Sequence, residues 1–117
     1  FLGKAKRAEA YLNLRSLYFS QKAFWAEHGT YTNCLCGPQS LGWNPEGSLN
    51  YTYGFAGSAG KHHVIGQLKT PASTLHQAFF NEQEFKIAAA GKIYRDKIDI
   101  LTIDHTGKIV IEQDGLT

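Results

Sequence analysis

The chain is 117 residues long, 43% hydrophobic and 19% charged, with enough apolar material for one core and too much for a disordered chain. Twelve Lys and Arg against ten Asp and Glu leave a net charge of +2, which excludes a strongly basic nucleic-acid footprint. There is no apolar run of about 18 residues to cross a membrane, and the two cysteines make neither a disulfide framework nor a four-thiolate zinc site.

Residues 1–28 contain no Pro and only one Gly, Gly3, and are dense in helix formers such as Ala5, Lys6, Ala8, Leu12, Leu14 and Leu17. His28-Gly29 is a C-terminal stop signal. The spacing predicts one helix of roughly 40 Å, longer than a domain with a radius of gyration of about 13 Å requires. Its first turn or two are therefore expected to protrude. At 100° per residue the helix carries two apolar arcs. The bulkier one holds Ala10, Tyr11, Leu14, Leu17, Tyr18 and Phe24; the other holds Phe1, Ala5, Ala8, Leu12, Phe19 and Ala26. Either the helix is central in its own domain and packed on two sides, or one arc meets its own sheet and the other meets neighbouring subunits. In the second case Phe1, Ala5, Ala8 and Leu12 form an assembly face, with Leu12 the most covered of Ala5, Ala8 and Leu12. Glu9, Asn13, Ser16, Ser20 and Glu27 fill one wedge between the arcs, and Lys4, Arg15 and Lys22 the other. Glu9 and Glu27 also interrupt the cations Lys4, Lys6, Arg7, Arg15 and Lys22. These cations read as a solvated helix flank, and nucleic acid is not an expected partner.

Residues 30–48 form a loop rich in turn formers, including Gly37, Pro38, Gly42, Asn44 and Pro45. A loop of that length is expected to be functional or tied down. Cys34 and Cys36 lie inside it. A structural disulfide between them is the favoured reading, since α-carbons two residues apart can fall within disulfide range. Free thiols, an intermolecular bond or a metal are the alternatives. Strands are expected at 49–55, at 85–91 with Phe85, Ile87 and Ala89 on one face, and at 98–103 and 108–112, the last two a hairpin turning through 104–107. A short strand at 63–68 and a turn of helix from Ser73 or Thr74 to Ala78 are weaker expectations within the irregular stretch 57–82. One helix (1–28), a loop (29–48) and an antiparallel sheet (49–117) make a single α+β domain over residues 1–117.

Chemical motifs are sparse. Gly54-x-x-Gly57-x-x-Gly60 is not the dinucleotide fingerprint, and no Walker loop, Gly-x-Ser-x-Gly elbow or His-Glu-x-x-His occurs. Asp96, Asp99 and Asp104 lack EF-hand spacing and are expected to be solvated sheet-end residues. His62-His63 read as surface histidines rather than zinc ligands, because adjacent strand residues point to opposite faces. Asn50-Tyr51-Thr52 matches the glycosylation acceptor pattern by chance. No local nucleophile, base and orienting group stand together, so neither an enzyme nor a cofactor is expected. With no Met in the chain, Phe1 is not an expected translation start, and the sequence reads as the downstream part of something longer.

Three phrases carry a resemblance: Lys6-Arg7-Ala8-Glu9-Ala10-x-x-Asn13-Leu14-Arg15-Ser16-Leu17-Tyr18, the helix-ending Ala26-Glu27-His28-Gly29-Thr30-Tyr31, and the strand Ile98-Asp99-Ile100-Leu101-Thr102-Ile103-Asp104. Together with Tyr51-x-Tyr53-Gly54-Phe55, they resemble the globular half of a bacterial type IV pilin. The resemblance implies a helix laid on a four-stranded antiparallel sheet. It also implies a leader removed by a prepilin peptidase, methylation of the processed subunit, and an upstream hydrophobic helix half that holds the subunit in the inner membrane and later forms the filament core. Expected partners are other pilin subunits, the assembly machinery and, through the upstream segment, the membrane. The expected location is the inner membrane with a periplasmic domain, then a surface pilus supporting motility, adhesion or DNA uptake. A type II secretion pseudopilin shares this plan, and a soluble periplasmic or extracellular ligand-binding module is the reading from another class.

Overall fold

The computed structural model describes residues 2–116, so Phe1 and any part it has in an assembly face lie outside the described residues. Helix α1 runs Leu2–His28. It ends where expected: Gly29 adopts a positive φ of 74°, and its N–H donates to the Trp25 carbonyl at 2.8 Å. That left-handed residue closes the last turn with no side-chain clash.

The sheet is larger than the four strands expected. It comprises β1 (Thr52–Gly54), β2 (His63–Val64), β3 (Phe79–Phe80), β4 (Phe85–Tyr94), β5 (Lys97–Asp104) and β6 (Ile109–Gln113). The strand order is β2-β1-β4-β5-β6, with β3 also paired to β4, and every pairing between these strands is antiparallel. Stretch 57–82 supplies the two extra strands, β2 and β3, and a 3-10 turn at Ala72–Leu75. Both strands are only two residues long, too short for period-2 alternation to register. The strand expected at 49–55 is confined to Thr52–Gly54.

Alternation along the two long strands divides the core. Phe85, Ile87, Ala89, Leu101 and Ile103 join Ala10, Leu14 and Leu17 between sheet and helix. Ala88, Ala90 and Ile100 lie on the other face under Leu75 of the 3-10 turn. Both faces of the central strands are thus covered, and the radius of gyration is 13.2 Å with a long axis of 41 Å.

Candidate assembly face

The bulky arc faces the sheet: Ala10, Leu14 and Leu17 are fully buried, Tyr18 and Phe24 are partly covered, and Tyr11 is exposed at the edge. Leu14 and Leu17 fill the core from consecutive turns.

Of the cations read as a solvated helix flank, Lys4 and Arg15 are exposed, but Arg7 is not solvated. On one flank, Arg7 Nε donates to Asp99 Oδ2 at 2.9 Å, and its Nη2 donates to the other Asp99 oxygen and to Asp114 Oδ1 at 2.7 Å. Asp99 is fully buried, which corrects its reading as a solvated sheet-end residue. Its carboxylate also accepts from Tyr51 Oη at 2.7 Å and from the Gly115 N–H at 2.8 Å. A buried carboxylate persists only when paired and fully hydrogen-bonded in this way. Hydrogen bonding to Asp99 holds the Arg7 guanidinium above its ordinary pKa. Burial first, and then the bond to Asp99, pushes the Tyr51 phenol up. The Arg7 hydrogen bond holds the exposed Asp114 carboxyl below its ordinary range. Gly91, opposite Asp99 in the β4–β5 ladder, makes room for this arrangement: a β-carbon there would stand 3.1 Å from the Tyr51 ring.

On the other flank, Glu9 gathers the entry to β1. Its carboxylate accepts from the backbone N–H of Asn50 at 3.0 Å and of Tyr51 at 3.2 Å, and from Tyr53 Oη at 2.7 Å. Asn13 Nδ2 donates to the same Tyr53 oxygen at 3.1 Å, and Ser16 Oγ accepts from Trp43 Nε1 at 3.1 Å. Burial, then the Glu9 hydrogen bond, raises the Tyr53 phenol. Buried Gln21 pairs with both backbone groups of Thr32, and Lys22 Nζ donates to Tyr31 Oη at 2.8 Å. The helix is therefore clasped from its second turn to its end, which leaves the first of the one or two turns expected to protrude ahead of the Arg7 clamp.

This leaves one face. At 100° per residue, Ala5, Ala8, Leu12, Phe19, Ala23 and Ala26 share a sector of about 60° opposite Leu14 and Leu17. All six are exposed and the sector holds no polar residue. Leu12 is 74% exposed and Phe19 66%. Leu12, expected to be the most covered of Ala5, Ala8 and Leu12, is itself well exposed, because the core packs on the opposite side of the helix. Ala23, not among the residues of the expected arc, also belongs to the stripe, one turn beyond Phe19. Beside Ala8, an open cavity of about 280 Å³ is lined by Lys4, Arg7, Ala8, Tyr11 and Leu116.

The expected bridge in the 30–48 loop is not formed, and Cys34 and Cys36 are free thiols. Their sulfurs point to separate acceptors, the Asn33 side chain and the Trp43 carbonyl. Instead, backbone bonds from Leu35 to Lys61 and from Trp43 to Leu35 tie the loop down. His63 is buried, its Nδ1 3.1 Å from the Phe55 carbonyl oxygen; the surface reading fits only His62, which is partly covered. Among the described residues no group of three or more His, Cys, Asp or Glu is placed to hold a metal, and no helix is long and apolar enough to cross a membrane.

The chain is 27% identical over 93 residues to the type IV major pilin protein PilA of Myxococcus xanthus (strain DK1622), covering 80% of this chain and 41% of that protein. It thus spans about two-fifths of the length of the curated relative it matches. The match supports the type IV pilin resemblance carried by the helix and strand phrases. No family model and no solved structure matches the chain.

Proposed function

We propose that the chain is the globular part of a type IV pilus subunit, a structural protein whose work is assembly rather than catalysis. The carrying observation is the stripe Ala5, Ala8, Leu12, Phe19, Ala23 and Ala26, which is apolar, exposed and opposite the core. A monomer gains nothing from exposing Leu12 and Phe19 on one line, whereas a contiguous exposed apolar patch marks an interaction surface. Small residues at Ala5 and Ala8 let a second helix approach closely, at interaxial distances of about 8–10 Å. In this reading helices of neighbouring subunits pack along the stripe, and an upstream apolar extension of α1 anchors the subunit in the inner membrane until the assembly machinery extracts it. The resulting surface filament serves motility, adhesion or DNA uptake.

The test is Ala8→Glu. The isolated chain should keep its melting temperature, because the site is exposed and such substitutions stay within about 0.5 kcal/mol. In a packed filament the same carboxylate would be buried without a partner, at a cost of about 3–5 kcal/mol. Electron microscopy of a strain carrying the change should show few or no filaments. Normal filaments would remove the stripe from the assembly contact, and an unfolded chain would assign it to the domain's own core.

A further inference from the structure

The net positive charge of the molecule is not spread evenly. The β4–β5 turn, Tyr94 to Lys97, lies at the end of the sheet beside the start of α1, because Arg7 bonds Asp99 and Asp99 pairs with Gly91 across the ladder. Lys92 joins that end through its backbone bond to Thr70 Oγ1, which brings Lys69 with it. Lys4, Lys6, Lys69, Lys92, Arg95 and Lys97 are thereby collected at one pole, all exposed except the half-buried Lys6. The acids there are Asp96 on the turn, Asp114 and Asp99 held by Arg7, and Glu9 held by the entry to β1. At the opposite pole the cations are offset: Lys86 lies 3.6 Å from Glu112, and Glu27, Glu82 and Glu84 are exposed. Tyr94 adds a 37% exposed aromatic ring to the basic pole, with the Arg95 guanidinium 5.2 Å from its centre. An exposed aromatic flanked by cations suits the headgroup level of a bilayer.

We infer that this pole rests on an anionic phospholipid surface while the subunit is held in the membrane. The inference depends on the reading above, in which α1 enters a membrane at its N-terminal end. That geometry brings the basic pole, and not the acidic one, toward the headgroups. Each basic residue near an anionic surface strengthens binding roughly fivefold, and salt screens the attraction within a Debye length of about 8–10 Å.

The test is co-sedimentation of the 117-residue chain with vesicles of phosphatidylcholine containing phosphatidylglycerol, and with phosphatidylcholine alone. The chain should bind the anionic vesicles at low salt and be released by added salt. Lys4→Gln, Lys92→Gln and Arg95→Gln together should weaken binding about a hundredfold. Lys61→Gln with Lys108→Gln, away from this pole, should leave it unchanged, with all variants melting as the parent does. Three outcomes would overturn the inference: no binding to anionic vesicles, equal binding to neutral ones, or the same loss from the distant pair. So would salt-sensitive self-association abolished by the triple variant without vesicle binding, since the pole would then meet a second copy. Normal filaments from Ala8→Glu would instead remove the stripe from the assembly contact and leave the vesicle result standing.

Discussion

Arg7 on the second turn of α1 and Asp99 near the turn of the β4–β5 hairpin are 92 residues apart in sequence and joined by two hydrogen bonds. The guanidinium is mostly covered and the carboxylate wholly so, with side-chain exposures of 14% and 0%. The pair ties the start of the helix to the sheet, beside the packing of Ala10, Leu14 and Leu17 further along.

Arg7→Ala should lower stability by about 3–5 kcal/mol, because it leaves Asp99 buried without its cation. Arg7→Lys should recover only part of the loss, since an ammonium cannot span both carboxylate oxygens. Urea denaturation midpoints measure both. An unmoved midpoint for Arg7→Ala would mean that apolar packing alone sets the helix orientation.

The two sides of the helix should answer differently to the same truncation. Leu14→Ala and Leu17→Ala should each cost about 2–5 kcal/mol, from lost burial plus the cavity left behind. Leu12→Ala, on the outward face, should stay within about 0.5 kcal/mol. Equal losses at Leu12 and Leu14 would show that the outward stripe is covered in solution.

Alkaline titration should separate two of the six tyrosines. Tyr51 and Tyr53 have phenols raised above the ordinary value of 10.0. The fold favours their neutral forms, so this contribution to stability is full below pH 10 and lost as pH rises above it, where the unfolded chain releases protons that the native chain keeps. Tyrosinate absorbance should therefore reach its last third only as the protein unfolds. Complete ionisation with the native circular dichroism spectrum intact would contradict the buried bonds to Asp99 and Glu9.

On the acid side, Asp114 and Asp104 both lie below the ordinary value of 3.8. Hydrogen bonding to Arg7 depresses Asp114. Burial opposes the shift at Asp104, and bonds from the Thr106 side chain and the Lys108 and Thr106 backbones outweigh it. Their stabilisation is present above pH 3.8 and lost as pH falls through the lower folded values. Asp104→Asn with Asp114→Asn should flatten the fall in melting temperature below about pH 4. An unchanged acid limb would place the acid sensitivity elsewhere.

The elements legible in the sequence were those whose pattern repeats locally. Leu14 and Leu17 announce a buried helix face because their spacing matches the helix period, and Phe85, Ile87 and Ala89 announce a strand face because theirs matches the pleat. Arg7, read as part of a solvated flank, was not legible for the opposite reason. A charged residue on a helix flank has the same local surroundings whether it meets water or a partner 92 residues away. Asp99 sits in the alternating run of β5, where an acid at an inward position reads as an exception until Arg7, Tyr51 and Gly115 are seen around it. The outward stripe was legible as a second apolar arc expected to stay exposed on the lone domain, and it is exposed; periodicity shows that a face is apolar and not what covers it.

The clasp on α1 also sets how the molecule carries load. Arg7 and Glu9 hold opposite flanks of one helical turn, and Asn13, Ser16, Gln21 and Lys22 follow along the axis. Tension drawn along the helix strains these attachments in shear, several at a time, instead of peeling them one by one. The first to feel a pull from the N-terminal end are those of Arg7, to Asp99 and Asp114, and of Glu9, to the entry to β1. The sheet and the tail at Asp114 then move with the helix as one body, so the domain behaves as a rigid link rather than an unravelling one.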